Sequence, residues 1–157
     1  MTPNPSTQAA SLREMALSLP ASDIGATEIP NGARVFGVLM ESRIGDAVVT
    51  LVCFVDGTTS LYFSGGGGVI GAGQHETVRT EAAALVALGN HFAPSFTLTT
   101  TFPLPAAGRV RFYLRTFDGT KTAEVAESDV TTPRVPLFSL FAAGQRVISA
   151  IRELGLV

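Results

Sequence analysis

Apolar and polar positions alternate along this chain with two different periods, and the changes of period mark the elements. Leu12, Met15, Ala16 and Leu19 recur at i, i+3, i+4, i+7, which predicts a helix capped by Ser6 or Thr7 and ended by Pro20. Residues 1–5 read as a frayed tail, and Ala21 to Gly32 as a loop of small and turn-forming residues. From Arg34 the period drops to two. Strands are expected over Arg34–Ser42 and Ala47–Val55, with a tight turn at Gly45-Asp46, and over Ser60–Phe63 after a second hairpin signal at Asp56-Gly57.

With two-residue turns, Phe36, Val38, Met40, Leu51, Cys53 and Val55 share one sheet face, and Leu39, Val52, Phe54, Leu61 and Phe63 share the other. An odd-length turn would flip a strand and break this grouping. Both faces are apolar at their centres and both need a cover. Helices supply one, and the other is open to a second subunit.

The helical period returns over Gln74–Phe92, where Val78, Ala82, Leu85, Val86, Gly89 and Phe92 line one side. Pro94 ends that helix. Phe96, Leu98, Thr100 and Phe102 then alternate with Thr97, Thr99 and Thr101 as a half-buried strand. After the connection Pro103–Gly108, Val110, Phe112 and Leu114 alternate with Arg109, Arg111, Tyr113 and Arg115. Asp118-Gly119 turns the chain into a partner strand over Lys121–Glu127. A proline-bearing loop, Ser128–Pro136, leads to a last helix over Leu137–Leu154. Its stripe is Leu137, Leu140, Phe141, Gly144, Val147, Ile148, Ile151 and Leu154, and Gly155 serves as its C-terminal cap.

These elements predict one α+β domain over residues 1–157: an antiparallel sheet of five or six strands with three packed helices, in the order α-βββ-α-βββ-α. Phe54–Thr58 is similar to Thr116–Thr120, and each precedes a strand and then a helix. That likeness fits either an internal duplication or two examples of a common hairpin turn.

Composition narrows the function classes. Hydrophobic residues make up 46% of the chain and charged residues 15%, an apolar excess that points to buried subunit contacts and hence a homodimer. The net charge of −2 carries no basic excess, which argues against nucleic-acid binding. Cys53 is the single cysteine, so no internal disulfide forms and a reducing compartment such as the cytoplasm fits. The first ten residues lack the basic and apolar regions of a signal peptide, and no apolar run approaches the ~20 residues of a membrane span.

One stretch departs from ordinary composition. Ser64-Gly65-Gly66-Gly67-Gly68-Val69-Ile70-Gly71-Ala72-Gly73-Gln74-His75-Glu76 holds six of the sixteen glycines, follows a strand and opens a helix. Glycine amides before a helix N-terminus can cradle an anion. Gly66-x-Gly68-x-x-Gly71 satisfies a dinucleotide-loop pattern, but the acidic residue about 20 positions on and the second parallel strand are missing. No Lys-Ser/Thr closes a phosphate loop either. In the binding reading Ser64, Gly66, Gly67, Gly68, Gly71 and Gly73 hold a small anionic ligand, His75 exchanges a proton near neutral pH, and Arg79 clamps the charge. In the plainer reading the glycines allow a bend or close packing, His75 is a cap and Arg79 is solvated.

The segment SGGGGVIGAGQHETVR resembles a stretch found in small uncharacterised bacterial proteins. It spans roughly a tenth of the chain. The resemblance implies a bacterial, cytoplasmic protein and assigns no activity, cofactor or site residue.

The remaining candidates read more plainly. Arg109, Arg111 and Arg115 form a basic row that cross-strand pairing with Glu124 would satisfy. Cys53 reads as core, and His91 is isolated; with two histidines and one cysteine there is no metal-ligand set and no cofactor is expected. Two function classes result. The first is a non-enzymatic binding or assembly protein acting as a homodimer. The second is a phosphate- or small-ligand-binding protein or enzyme built on Gly65–Gly73 and the helix that follows.

Overall fold

Among the described residues, seven strands form one antiparallel sheet in the order β4-β3-β2-β1-β6-β7-β5. They are β1 (Val35–Ile44), β2 (Ala47–Phe54), β3 (Thr59–Phe63), β4 (Gly68–Ile70), β5 (Thr97–Thr99), β6 (Arg109–Thr116) and β7 (Gly119–Ala126). The helices are α1 (Pro5–Ser18), α2 (Glu76–Phe92), the single-turn α3 (Glu127–Val130) and α4 (Phe138–Glu153). The structure is a computed structural model describing residues 4–25 and 34–157. Residues 1–3 of the tail expected over 1–5, and residues 26–33, which include much of the loop expected over Ala21–Gly32, lie outside the described residues, as do the side chains of Pro5 and Ser6; α1 already begins at Pro5, and Ala21–Ile24 form a 3-10 turn.

The sheet has more strands than expected because the glycine run folds as a hairpin. Gly66, Gly67 and Gly68 adopt φ of 114°, 90° and 136°, a region side chains rarely enter. The chain therefore reverses after Phe63, and Gly68–Ile70 pairs back on β3. A 3-10 turn over Ala72–Gln74 then intervenes before α2. The expected strand Phe96–Phe102 shortens to β5, which pairs with β7 and leaves Leu98 largely exposed. The halves also differ in pairing: β1, β2 and β3 pair in sequence, whereas β5 does not touch β6 as a neighbour. The loop expected over Ser128–Pro136 includes most of α3.

Helices α2 and α4 cover one sheet face, where Val38, Met40, Leu51, Cys53, Leu61, Val110, Phe112 and Leu114 are buried. The buried positions of α2 are the six predicted from its stripe. On α4, Leu140, Gly144, Val147, Ile148 and Ile151 are buried as expected, while Leu154 is exposed. Gly144 and Gly89 bring these helices close, Gly144 against Met40 and Gly89 against Val35, Val38 and Leu114.

The opposite face carries Phe36, Leu39, Val52, Phe54, Tyr62 and Tyr113 and is covered by α1. Four expected face assignments change. Phe54 N–H donates to the Thr58 carbonyl at 2.9 Å, which leaves a three-residue loop, Val55-Asp56-Gly57, with Gly57 at φ 93°. That odd length turns Leu61 and Phe63 toward α2 and α4 and takes Val55 out of the strand. A bulge between Val35 and Gly37 turns Phe36 toward α1. On α1 itself, Ala9, Ala16 and Leu17 are buried and Met15 faces water, so the helix is rotated from the expected stripe.

Candidate binding cleft beneath α1

A row of polar residues crosses the sheet on the α1 face. Strand register places Gly68 beside Tyr62, Tyr62 beside Thr50, Thr50 beside Glu41, Glu41 beside Arg111, and Arg111 beside Glu124. Glu41 sits at the centre of this row and is completely buried. A buried carboxylate needs charge compensation, and α1 brings it. Arg13 donates to both Glu41 oxygens, Nε to Oε2 at 2.7 Å and Nη2 to Oε1 at 2.8 Å. Thr50 Oγ1 donates to Oε2 at 2.7 Å. Burial alone would pull the Arg13 guanidinium down, but the hydrogen bond and charge of Glu41 outweigh it and hold it above the ordinary arginine range. Arg13 Nη2 also donates to the Phe102 carbonyl at 2.9 Å.

Tyr62 is the next member of the row and is 5% exposed. Its hydroxyl is buried and has no hydrogen-bond partner among the described residues. Burial, and then the nearby Glu41 charge, push that hydroxyl well above the usual tyrosine range. Such a group costs about 1–3 kcal/mol when nothing satisfies it. Tyr62 lines a cleft of about 170 Å³ between α1 and the sheet. Ala9, Ala10 and Arg13 line it from the helix side, Val48, Thr50 and Ser64 from the sheet side, and Leu104 closes it. A second concavity of about 160 Å³ shares Ala9 and Tyr62 and runs along Gly67, Gly68 and Val69.

The eight residues singled out in the glycine segment divide into two groups. Ser64, Gly67 and Gly68 border the clefts beneath α1. The Ser64 oxygen accepts the Val48 N–H at 2.7 Å. Gly66 sits in the hairpin turn with its N–H on the Phe63 carbonyl at 2.9 Å. The others lead into α2, which packs on the opposite sheet face. Gly71 precedes the 3-10 turn at φ 76°, and Gly73 lies against the Gly57 carbonyl. His75 is the N-cap residue of α2 without a side-chain capping bond, and Arg79 Nη1 donates to the Gly73 carbonyl at 3.1 Å.

The basic row on β6 also divides. Arg109 and Arg111 both bind Glu124, at 2.8 Å and 2.6 Å, as cross-strand pairing requires. Arg115 instead reaches the end of α1, donating to the carbonyls of Ala16 at 2.6 Å and Leu19 at 2.9 Å. Cys53 is buried in the core, and burial pushes its thiol up to about 12 against an opposing hydrogen bond from Thr59. His91 is exposed, edge-on to Phe92. Among the described residues no group of His, Cys, Asp and Glu gathers as a metal site, and no helix is long and apolar enough to cross a membrane.

Sequence reasoning did not find Arg13, Glu41, Thr50 and Tyr62. A signal was there in Glu41, an acidic residue that directly follows the apolar run Val35–Met40 in β1. Scans of family models, curated proteins and solved structures each find no significant match to the chain.

Proposed function

We propose that this protein is a binding module whose ligand sits between α1 and the sheet face formed by β1, β2 and β3. The observation that carries the reading is Tyr62, a residue that lines a cleft of small-molecule size and carries a buried hydroxyl without a hydrogen-bond partner among the described residues. Glu41 is satisfied by Arg13 and Thr50, and Tyr113 by the Pro103 carbonyl. A mostly apolar cleft bordered by a few polar side chains such as Ser64, Thr50 and Arg13 is the pattern of a recognition site, where a few polar atoms fix orientation and apolar walls supply contact. The chemistry offered is hydrogen bonding and packing. The glycine hairpin contributes the rim through Ser64, Gly67 and Gly68.

The test is a protein-observed NMR screen against a chemically mixed fragment library of neutral, anionic and cationic members. Binding in the cleft shifts the backbone resonances of Ala9, Ala10, Val48 and Ser64 together. If no fragment moves that set, the reading fails.

A further inference from the structure

We infer that the first turns of α1, Thr7–Leu12, are a lid over the cleft that opens and closes up to a stop at Arg13; this rests on the binding reading above. The two halves of α1 are held differently. From Arg13 onward the helix is anchored. Arg13 donates to both Glu41 oxygens and to the Phe102 carbonyl, and Arg115 donates to the carbonyls of Ala16 and Leu19. Ala16 and Leu17 are buried in the same half. Among the described residues, none from Thr7 to Leu12 hydrogen-bonds or ion-pairs to the sheet through its side chain, and Ala9 is the one that is buried.

The open space lies under the loosely held half. On its helix side the cleft is bordered by Ala9, Ala10, Arg13 and Glu14, and the adjoining concavity by Gln8, Ala9 and Leu12. Ala9 and Ala10 carry one methyl group each and leave the space unfilled. A segment with little apolar burial and few fixed contacts opens at low cost, and lids that admit a ligand are drawn from such segments.

Opening does not pass Arg13 cheaply, because withdrawing that side chain strands the charge of the fully buried Glu41. The stop coincides with the border of the cleft, where Arg13 itself lines the wall. A ligand in the cleft meets Ala9 and Ala10 when these turns are closed, so binding and closing favour each other.

Amide hydrogen exchange of the full chain, read residue by residue by NMR, tests the lid. The amides of Ala9–Leu12 should exchange at least about tenfold faster than those of Leu17 and Ser18, with a step between the two groups. The probe is the fragment that shifts Ala9, Ala10, Val48 and Ser64 together most strongly. At ten times its Kd it should slow the lid amides about tenfold. In Arg13→Met with Glu41→Leu the stop is gone, and the Leu17 amide should quicken about tenfold; the step and the effect of the probe are read in the wild-type chain and need no variant. Equal rates along α1, or a smooth gradient without a step, overturns the inference. A fragment that occupies the cleft and leaves the lid amides unchanged also overturns it, with the binding reading left standing. A cleft that no fragment enters removes the binding reading and the lid with it.

Discussion

Arg13 and Glu41 lie 28 residues apart in the sequence, yet the guanidinium contacts both carboxylate oxygens, and the carboxylate has no solvent exposure. This pair fastens α1 to the sheet. Removing one partner leaves the other buried and unpaired, which costs about 3–5 kcal/mol, while an apolar pair of similar volume is often tolerated. Arg13→Ala should therefore lose about that much in urea denaturation, and Arg13→Met with Glu41→Leu should recover most of it. If the double variant is as unstable as Arg13→Ala, the pair does more than compensate charge.

Arg115 holds the other end of α1. It carries no carboxylate partner, stacks over the Phe36 ring at 5.1 Å, and leaves its buried Nε without a partner among the described residues. Burial lowers its pKa. Its worth lies in the two carbonyls it satisfies past the last turn of the helix. Arg115→Met should raise amide exchange rates in α1 tenfold or more, a change of about 1.4 kcal/mol in local opening, and leave α2 and α4 protected. Hydrogen exchange read residue by residue checks this; uniform loss of protection would show that the damage is global.

Two glycines test how forgiving the packing is. A methyl group on Gly73 would land on the Gly57 carbonyl oxygen, which is backbone and cannot step aside. On Gly144 it would meet the sulfur and terminal methyl of Met40, the flexible end of a side chain. Gly73→Ala should cost about 3 kcal/mol and Gly144→Ala about 1 kcal/mol, within the usual range for overpacking. Thermal unfolding of the two variants should rank them in that order.

Glu124 gives a pH dependence. Burial would raise its pKa, but hydrogen bonds and charge from Arg109 and Arg111 outweigh that and hold it below the usual carboxylate range. A depressed folded-state value means stabilisation that is present above the unfolded pKa and lost as pH falls through the folded one. Glu124→Gln should thus be about 1–2 kcal/mol less stable than wild type at pH 7, and the gap should close below about pH 4. Denaturation midpoints measured across that range would expose a gap that fails to close.

What could be read from the sequence depended on how local the determining physics was. The buried stripe of α2 follows from spacing within a single element, and all six of its positions face the core as expected. Glu124 could be placed near Arg109 and Arg111 because a short hairpin fixes its own register. In the glycine segment the expected bend is there, but the strand that follows it was not foreseen, because the hairpin depends on three successive residues at positive φ. Leu61 and Phe63 changed faces through one residue of turn length. The cleft was invisible because it needs α1 to dock on strands that follow much later in the chain. The demand that turns Arg13 inward and Met15 outward comes from Glu41, not from the helix itself.

Both borders of the sheet are strands of three residues, β4 and β5, flanking interior strands of five to ten. A border that short presents few free amides and carbonyls, and β4 begins at a glycine held at φ 136°. A second chain laid alongside would gain little before the register ran out. The sheet is thus a poor template for its own extension, and its short borders oppose the stacking of this apolar chain into fibrils.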